Sequence, residues 1–154
     1  MNKAKLAVVF VMLGLNILVA SAKAEEEIPV NLTVSGAISV DLKIYALALG
    51  QTANTSTGVL TFQGKKYPFT IRGIGLNKNQ IGASHLVASG EVFNLQDIIK
   101  FEGSYFQISG GITGTGKDGE STLRNDNKVW LHLKGWSNGP IVISDQGAIV
   151  QFSK

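Results

Sequence analysis

Residues Phe101 to Phe152 run FEGSYFQISGGITGTGKDGESTLRNDNKVWLHLKGWSNGPIVISDQGAIVQF. Short apolar runs alternate there with turn residues: Gly110-Gly111, Lys117-Asp118-Gly119, Asn125-Asp126-Asn127, Ser137-Asn138-Gly139-Pro140 and Ser144-Asp145-Gln146-Gly147. That spacing is the signature of antiparallel strands joined by tight turns. Four apolar runs follow from it: Tyr105–Ile108, Val129–Leu133, Ile141–Ile143 and Ala148–Phe152. Ser121–Leu123 is a further short strand.

The same pattern extends toward the N-terminus. Val30–Val34 alternates apolar with polar and reads as a first strand, broken by Gly36. In Val40–Leu49, Val40, Leu42 and Ile44 share one face, and Tyr45, Leu47 and Leu49 the other, with a bulge near Ile44. Gln51–Thr57 (QTANTST) reads as a polar loop, Val59–Phe62 as a strand, and Gln63–Lys66 as a turn into Tyr67–Ile71. Pro68 lacks a backbone N–H and points to an edge strand. Gly73, Gly75, Asn77, Asn79 and Gly82 mark a loop. His85–Ala88 is a strand ended by Gly90, continued by Val92-Phe93 after a bulge. Asn94–Lys100 (NLQDIIK) is one helical turn, capped by Asn94 and apolar through Leu95, Ile98 and Ile99. The expectation is an all-β chain: a small antiparallel barrel or rolled sheet of about nine to ten short strands with one short helical turn.

The first residues follow a different logic. Lys3 and Lys5 precede an apolar run from Leu6 to Ala22, and Ala22-Lys23-Ala24 forms an A-x-A site before Glu25. This is the layout of a secretory signal peptide, cleaved near Ala24/Glu25. The expected organisation is a leader over 1–24 and a single β domain over 25–154, with no membrane span left after cleavage. Export places the domain in the periplasm or outside the cell. The chain has no cysteine, so the domain is held by core packing alone.

Cleavage also removes the charge imbalance. Of 14 Lys and Arg, three (Lys3, Lys5, Lys23) lie in the leader, leaving 11 against 11 Asp and Glu. A neutral domain gives no electrostatic basis for binding nucleic acid.

Chemistry-bearing motifs are few. Gly111–Asp118 matches a phosphate-binding G-x-x-x-x-G-K, and Gly114, Gly116 and Gly119 fit G-x-G-x-x-G. Both motifs need a helix next, whereas Glu120–Leu123 is strand-like, so the stretch reads as a glycine-bent hairpin and no nucleotide is expected. His85 has only Glu91 nearby in sequence, and His132 has no close carboxylate, so neither points to a metal. Glu91, Asp97 and Glu102 read as surface acids around the helical turn. No G-x-S-x-G elbow is present. No cofactor and no enzymatic activity are expected.

In Val129-Trp130-Leu131-His132-Leu133, the aliphatic residues share one face, and Trp130 and His132 the other, with Trp136 following. The candidate ligand-binding residues are therefore Trp130, His132 and Trp136, an outward aromatic patch for a lipid or protein partner. The competing reading covers that face and makes Trp130 part of a second core layer.

Gly64-Lys65-Lys66-Tyr67-Pro68-Phe69, Gly90–Leu95, Phe101-x-Gly103-x-Tyr105, Thr113–Gly116 and Leu123-x-Asn125 together carry a resemblance. From Gly58 onward the chain resembles small exported glycine-rich β proteins of Gram-negative bacteria. It is distantly similar to SYLF-type lipid-binding and envelope-integrity periplasmic proteins. The resemblance implies an envelope role, and it brings no catalytic residue with it. The expected function is a non-enzymatic periplasmic binding module for an apolar or amphipathic envelope component, held at the Trp130/His132/Trp136 face or inside the barrel. The alternative is a structural, self-associating envelope protein that pairs through an edge strand.

Overall fold

The computed structural model describes residues 27–48, 51–76, 82–112, 116–139 and 141–154. The expected leader and its expected cleavage site lie outside them. Eight strands close into an antiparallel barrel: β1 (Val34–Ala48), β2 (Gln51–Phe62), β3 (Lys65–Arg72), β5 (Gly82–Phe93), β6 (Gly103–Gly111), β7 (Gly119–Asn125), β8 (Trp130–Ser137) and β10 (Ala148–Phe152). Two short strands, β4 (Ile74–Gly75) and β9 (Val142–Ile143), pair with each other outside it.

The order around the barrel is β1-β2-β3-β10-β6-β7-β8-β5. It divides into two like halves. In the first, β1, β2 and β3 meander and β5 returns beside β1. In the second, β6, β7 and β8 meander and β10 returns beside β6. Each half is a Greek key. Its long connection crosses the same end of the barrel, the first carrying β4 and the second β9, and there the two crossovers pair at Ile74–Ile143 and Gly75–Val142.

Period-two patterning decides which side chains fill the interior. In β1, Ile38, Val40, Leu42 and Ile44 are buried, while Ala37, Ser39, Asp41 and Lys43 between them are exposed. In β8, Val129 just before the strand, Leu131 and Leu133 point inward. Turn chemistry sets one register: Gln63 and Gly64 both have positive φ, the two-residue hairpin turn whose twist matches its strands.

Several local expectations are corrected. Val30–Val34 is not a strand: 30–31 is a turn and β1 starts at Val34. Gly36 does not break β1 but pairs with Phe62 inside it. The bulges of β1 fall at Val34/Gly36 and Ala46/Ala48, not at Ile44. Gln51–Thr57 is not a loop. It is the first half of β2, paired residue by residue with β1, so tertiary pairing overrides a segment with little apolar signal. β3 is not an edge strand, since β2 and β10 flank it. Pro68 is tolerated opposite the end of β10, where its carbonyl accepts from the Ser153 N–H (2.9 Å). Gly90 does not end a strand: β5 runs through it, and a Cβ there would strike the carbonyl of His132 on β8.

The helical turn is a 3₁₀ turn over Ile98–Phe101, capped by Asp97, whose carboxylate accepts from the Ile99 N–H (3.2 Å). Asn94 is not the cap. It sits at φ +61° in the bend leaving β5, a conformation asparagine tolerates.

This turn plugs one end of the barrel. Phe101 packs edge-on against Phe69 (5.1 Å between centroids), near Tyr105 (6.0 Å) and stacked on Phe152 (5.6 Å). Polar side chains pin the plug. Buried Asn125 donates to the Lys100 carbonyl (2.8 Å) and accepts from the Val129 N–H (3.0 Å). Ser35 Oγ accepts from the Leu95 N–H (2.9 Å), and Glu102 accepts from the Phe152 N–H (2.8 Å). Leu60, Val92, Leu95 and Val129 complete a solid lower half.

Candidate functional site: a roofed cavity in the barrel

Above the plug the barrel is not filled. A cavity of about 100 Å³ occupies the other half of the interior. Ile38, Val40 and Leu42 of β1, Phe69 and Ile71 of β3, and Leu131 and Leu133 of β8 form its walls with Leu86, Leu123, Ala148 and Val150. Four isoleucines stand at its mouth: Ile74 on β4, Ile112 just after β6, and Ile141 and Ile143 at β9.

Among the described residues, only Tyr105, Gln107 and Ser121 bring polar side chains to this lining. The Tyr105 hydroxyl is committed elsewhere, donating to the Phe101 carbonyl at 2.7 Å. Burial pushes its phenol well above the ordinary tyrosine range, so it stays a neutral donor. The Gln107 amide N–H donates to the Gly110 carbonyl. No charged residue lines the cavity among the described residues.

The roof is the β4–β9 ribbon. β3 and β10 are neighbours in the barrel wall (Arg72 opposite Ile149), so β4, which follows β3, and β9, which precedes β10, continue that pair past the rim. The ribbon bends inward at Gly73 (φ +80°) and Gly147 (φ +81°). A Cβ on Gly73 would meet the Gly147 carbonyl oxygen, so the bend needs both the positive φ and the missing side chain. The Ser144 N–H donates to the Gly73 carbonyl at 2.8 Å, and Ser144 Oγ donates to the Gly147 carbonyl at 3.2 Å.

On the outer face, Trp130, His132 and Trp136 do share one side of β8, as alternation requires. They do not form one patch. Trp130 and Trp136 are six residues apart, roughly 20 Å along a strand, and their environments differ. Trp130 is 3% exposed, with the Arg124 guanidinium 5.1 Å from its ring centroid, and shares a groove with Pro29, Leu32 and Lys128. Its burial matches the second-layer reading rather than an exposed patch. Trp136 is 37% exposed at the cavity end, with His85 edge-on at 5.9 Å. His132 lies between them, partly exposed, with Nε2 3.4 Å from Glu120 Oε2 and Nδ1 3.2 Å from Thr122 Oγ1. His85 pairs with Asp41 across the β1–β5 ladder at 2.8 Å. These carboxylate partners come from neighbouring strands, which is why sequence proximity missed them.

Other motifs take structural roles. Asp97 and Glu102 cap and anchor the plug, and Glu91 stands opposite His132, so the three acids do not share a cleft. After Gly116 the chain enters β7, not a helix, so the geometry a phosphate loop requires does not follow it. Among the described residues no group of three or more His, Asp and Glu is arranged to hold a metal ion.

The sequence allows a pocket inside the barrel lined by Tyr67, Phe69 and similar residues; Phe69 does line the cavity, whereas Tyr67 packs against Phe152 and is not part of its lining. One further signal was present: Ile74, Ile141 and Ile143 sit in turn-rich connections, where polar residues are the rule. Comparison of the chain with protein-family models, curated proteins and solved structures finds no match.

Proposed function

We propose that the protein is a non-enzymatic binding module that takes an apolar or amphipathic component of the cell envelope into the barrel interior. The cavity carries this reading. It is lined almost wholly by aliphatic side chains and is reached at a rim of isoleucines. A concave apolar site with few polar groups is the usual form of a small-molecule site. A leader of signal-peptide layout supports an address in the periplasm or outside the cell. The alternative, association through an edge strand, has less support, because every barrel strand has a neighbour on both sides.

The test is native mass spectrometry on protein purified from its own host without detergent. Extra mass that is lost on denaturation is expected. It should disappear in Ala148→Leu, which fills the cavity, and persist in Trp136→Ala, which changes the outer face. Retention in Ala148→Leu together with loss in Trp136→Ala would move the site to the outer wall. Bare protein would count against a tightly held ligand.

A further inference from the structure

Size, lining and polarity together narrow the ligand. Resting on the binding reading above, we propose that the cavity receives the end of an unbranched aliphatic chain, tail first, while the chain's polar head stays outside the roof.

The volume sets the first limit. A cavity of about 150 Å³ holds benzene, a six-carbon ring. The space here is about 100 Å³, which in proportion admits roughly four carbons. A ring system or a whole lipid tail exceeds it, whereas the last few methylenes of a chain fit. Lining chemistry agrees. Two aromatic rings reach the described lining, Phe69 and Tyr105, and both are locked into the plug cluster; apart from Gln107 and Ser121 the rest of it is aliphatic.

Polarity sets the direction of entry. At the blind end the Tyr105 hydroxyl is already bound to the Phe101 carbonyl and is not available as a donor to a ligand. A charged head brought inside would meet no charged partner in the described lining, and an unpaired buried charge is strongly disfavoured. The head must therefore remain in water beyond the mouth. The plug closes the opposite end, so the chain enters under the β4–β9 ribbon.

The experiment is an NMR titration of protein labelled at the isoleucine methyl groups. Ile38, Ile71, Ile74, Ile112, Ile141 and Ile143 all report on the cavity. The probes are straight-chain carboxylates from four to twelve carbons, kept below their micelle concentrations, with toluene and naphthalene as compact rings. Each carboxylate should shift these methyls. Affinity should rise about four-fold per added methylene while the chain still fills the cavity, then flatten over the longer members. Ala148→Leu should move the flattening point to a shorter chain and Leu123→Ala to a longer one. Amide spectra confirm that each variant is folded, and either one alone suffices.

Rings that bind while chains do not would overturn the chain-end assignment and leave the binding module standing. So would affinity that climbs unbroken to twelve carbons, or a flattening point that neither variant moves. If no probe of either kind shifts the methyls and native spectra show bare protein, the binding reading falls with it.

Discussion

The two halves of the barrel are built by the same strands with the same alternation, yet one is solid and the other hollow. In the plugged half, residues 95–101 fold back under the wall, and Phe101, Tyr105 and Phe152 meet ring to ring. In the open half no segment is inserted among the described residues, and the aliphatic walls face a void beneath a ribbon held by two residue pairs. A small barrel interior can be filled by its own side chains or left to hold a ligand. Here one chain does both, and what differs is the connection at each end. The bend after β5 is pinned inward by Asn125, Ser35 and Glu102. The crossovers at the other end pair with each other and only roof the space.

That contrast is sharpest under substitution. Phe101→Ala should be the most damaging change, costing about 3–5 kcal/mol in urea unfolding, since it opens a cavity among rings that have no freedom to collapse. A cost below about 1 kcal/mol would show that the plug is loosely packed and would erase the difference between the halves. Gly58→Ala comes next. Its Cβ would enter the Phe69 ring, and overpacking of this kind costs about 1–3 kcal/mol, read as a lowered melting temperature.

Tyr105→Phe removes the donor to the buried Phe101 carbonyl, with an expected loss of about 1–2 kcal/mol from one orphaned acceptor. Ala148→Leu adds carbon to the hollow half and should change stability by less than ~1 kcal/mol, because the new atoms have room. A cost like that of Gly58→Ala would mean that the open half is as full as the plugged one. Trp136→Phe should alter stability least, within about 0.5 kcal/mol. It should also remove most of the acrylamide-quenchable fluorescence, leaving the protected signal of Trp130 at the plugged end.

How much of this could be read in advance follows from what each signal measures. Alternation in Val129–Leu133 and Val40–Ile44 marks one face of a strand, and those faces are the inner wall. Turn residues mark where strands end, which is why an antiparallel all-β chain of about ten strands could be anticipated. Gln51–Thr57 carries no such alternation, and its place in β2 comes from its pairing with β1 across the ladder. Asn94 offers a capping side chain, but the chain's exit from β5 puts it at positive φ and passes the cap to Asp97.

Candidate site residues were legible only as a face. The sequence placed Trp130 and His132 on one side of a strand and Trp136 in the turn region after it, whereas β8 runs on through Trp136; it held no information on what covers each. The groove at Trp130 and the His85 contact at Trp136 come from segments far away in the chain.

By itself, then, the sequence determined an all-β domain, the inward and outward sets of each strong strand, and the turns between them. All of these are local, set by side-chain period and backbone preference within a few residues. Only the tertiary structure decided the closure into paired Greek keys, the partners of the two histidines, the plug at one end and the hollow at the other. Those depend on which strands become neighbours and on the volume left when their side chains meet, and no window of sequence contains either quantity.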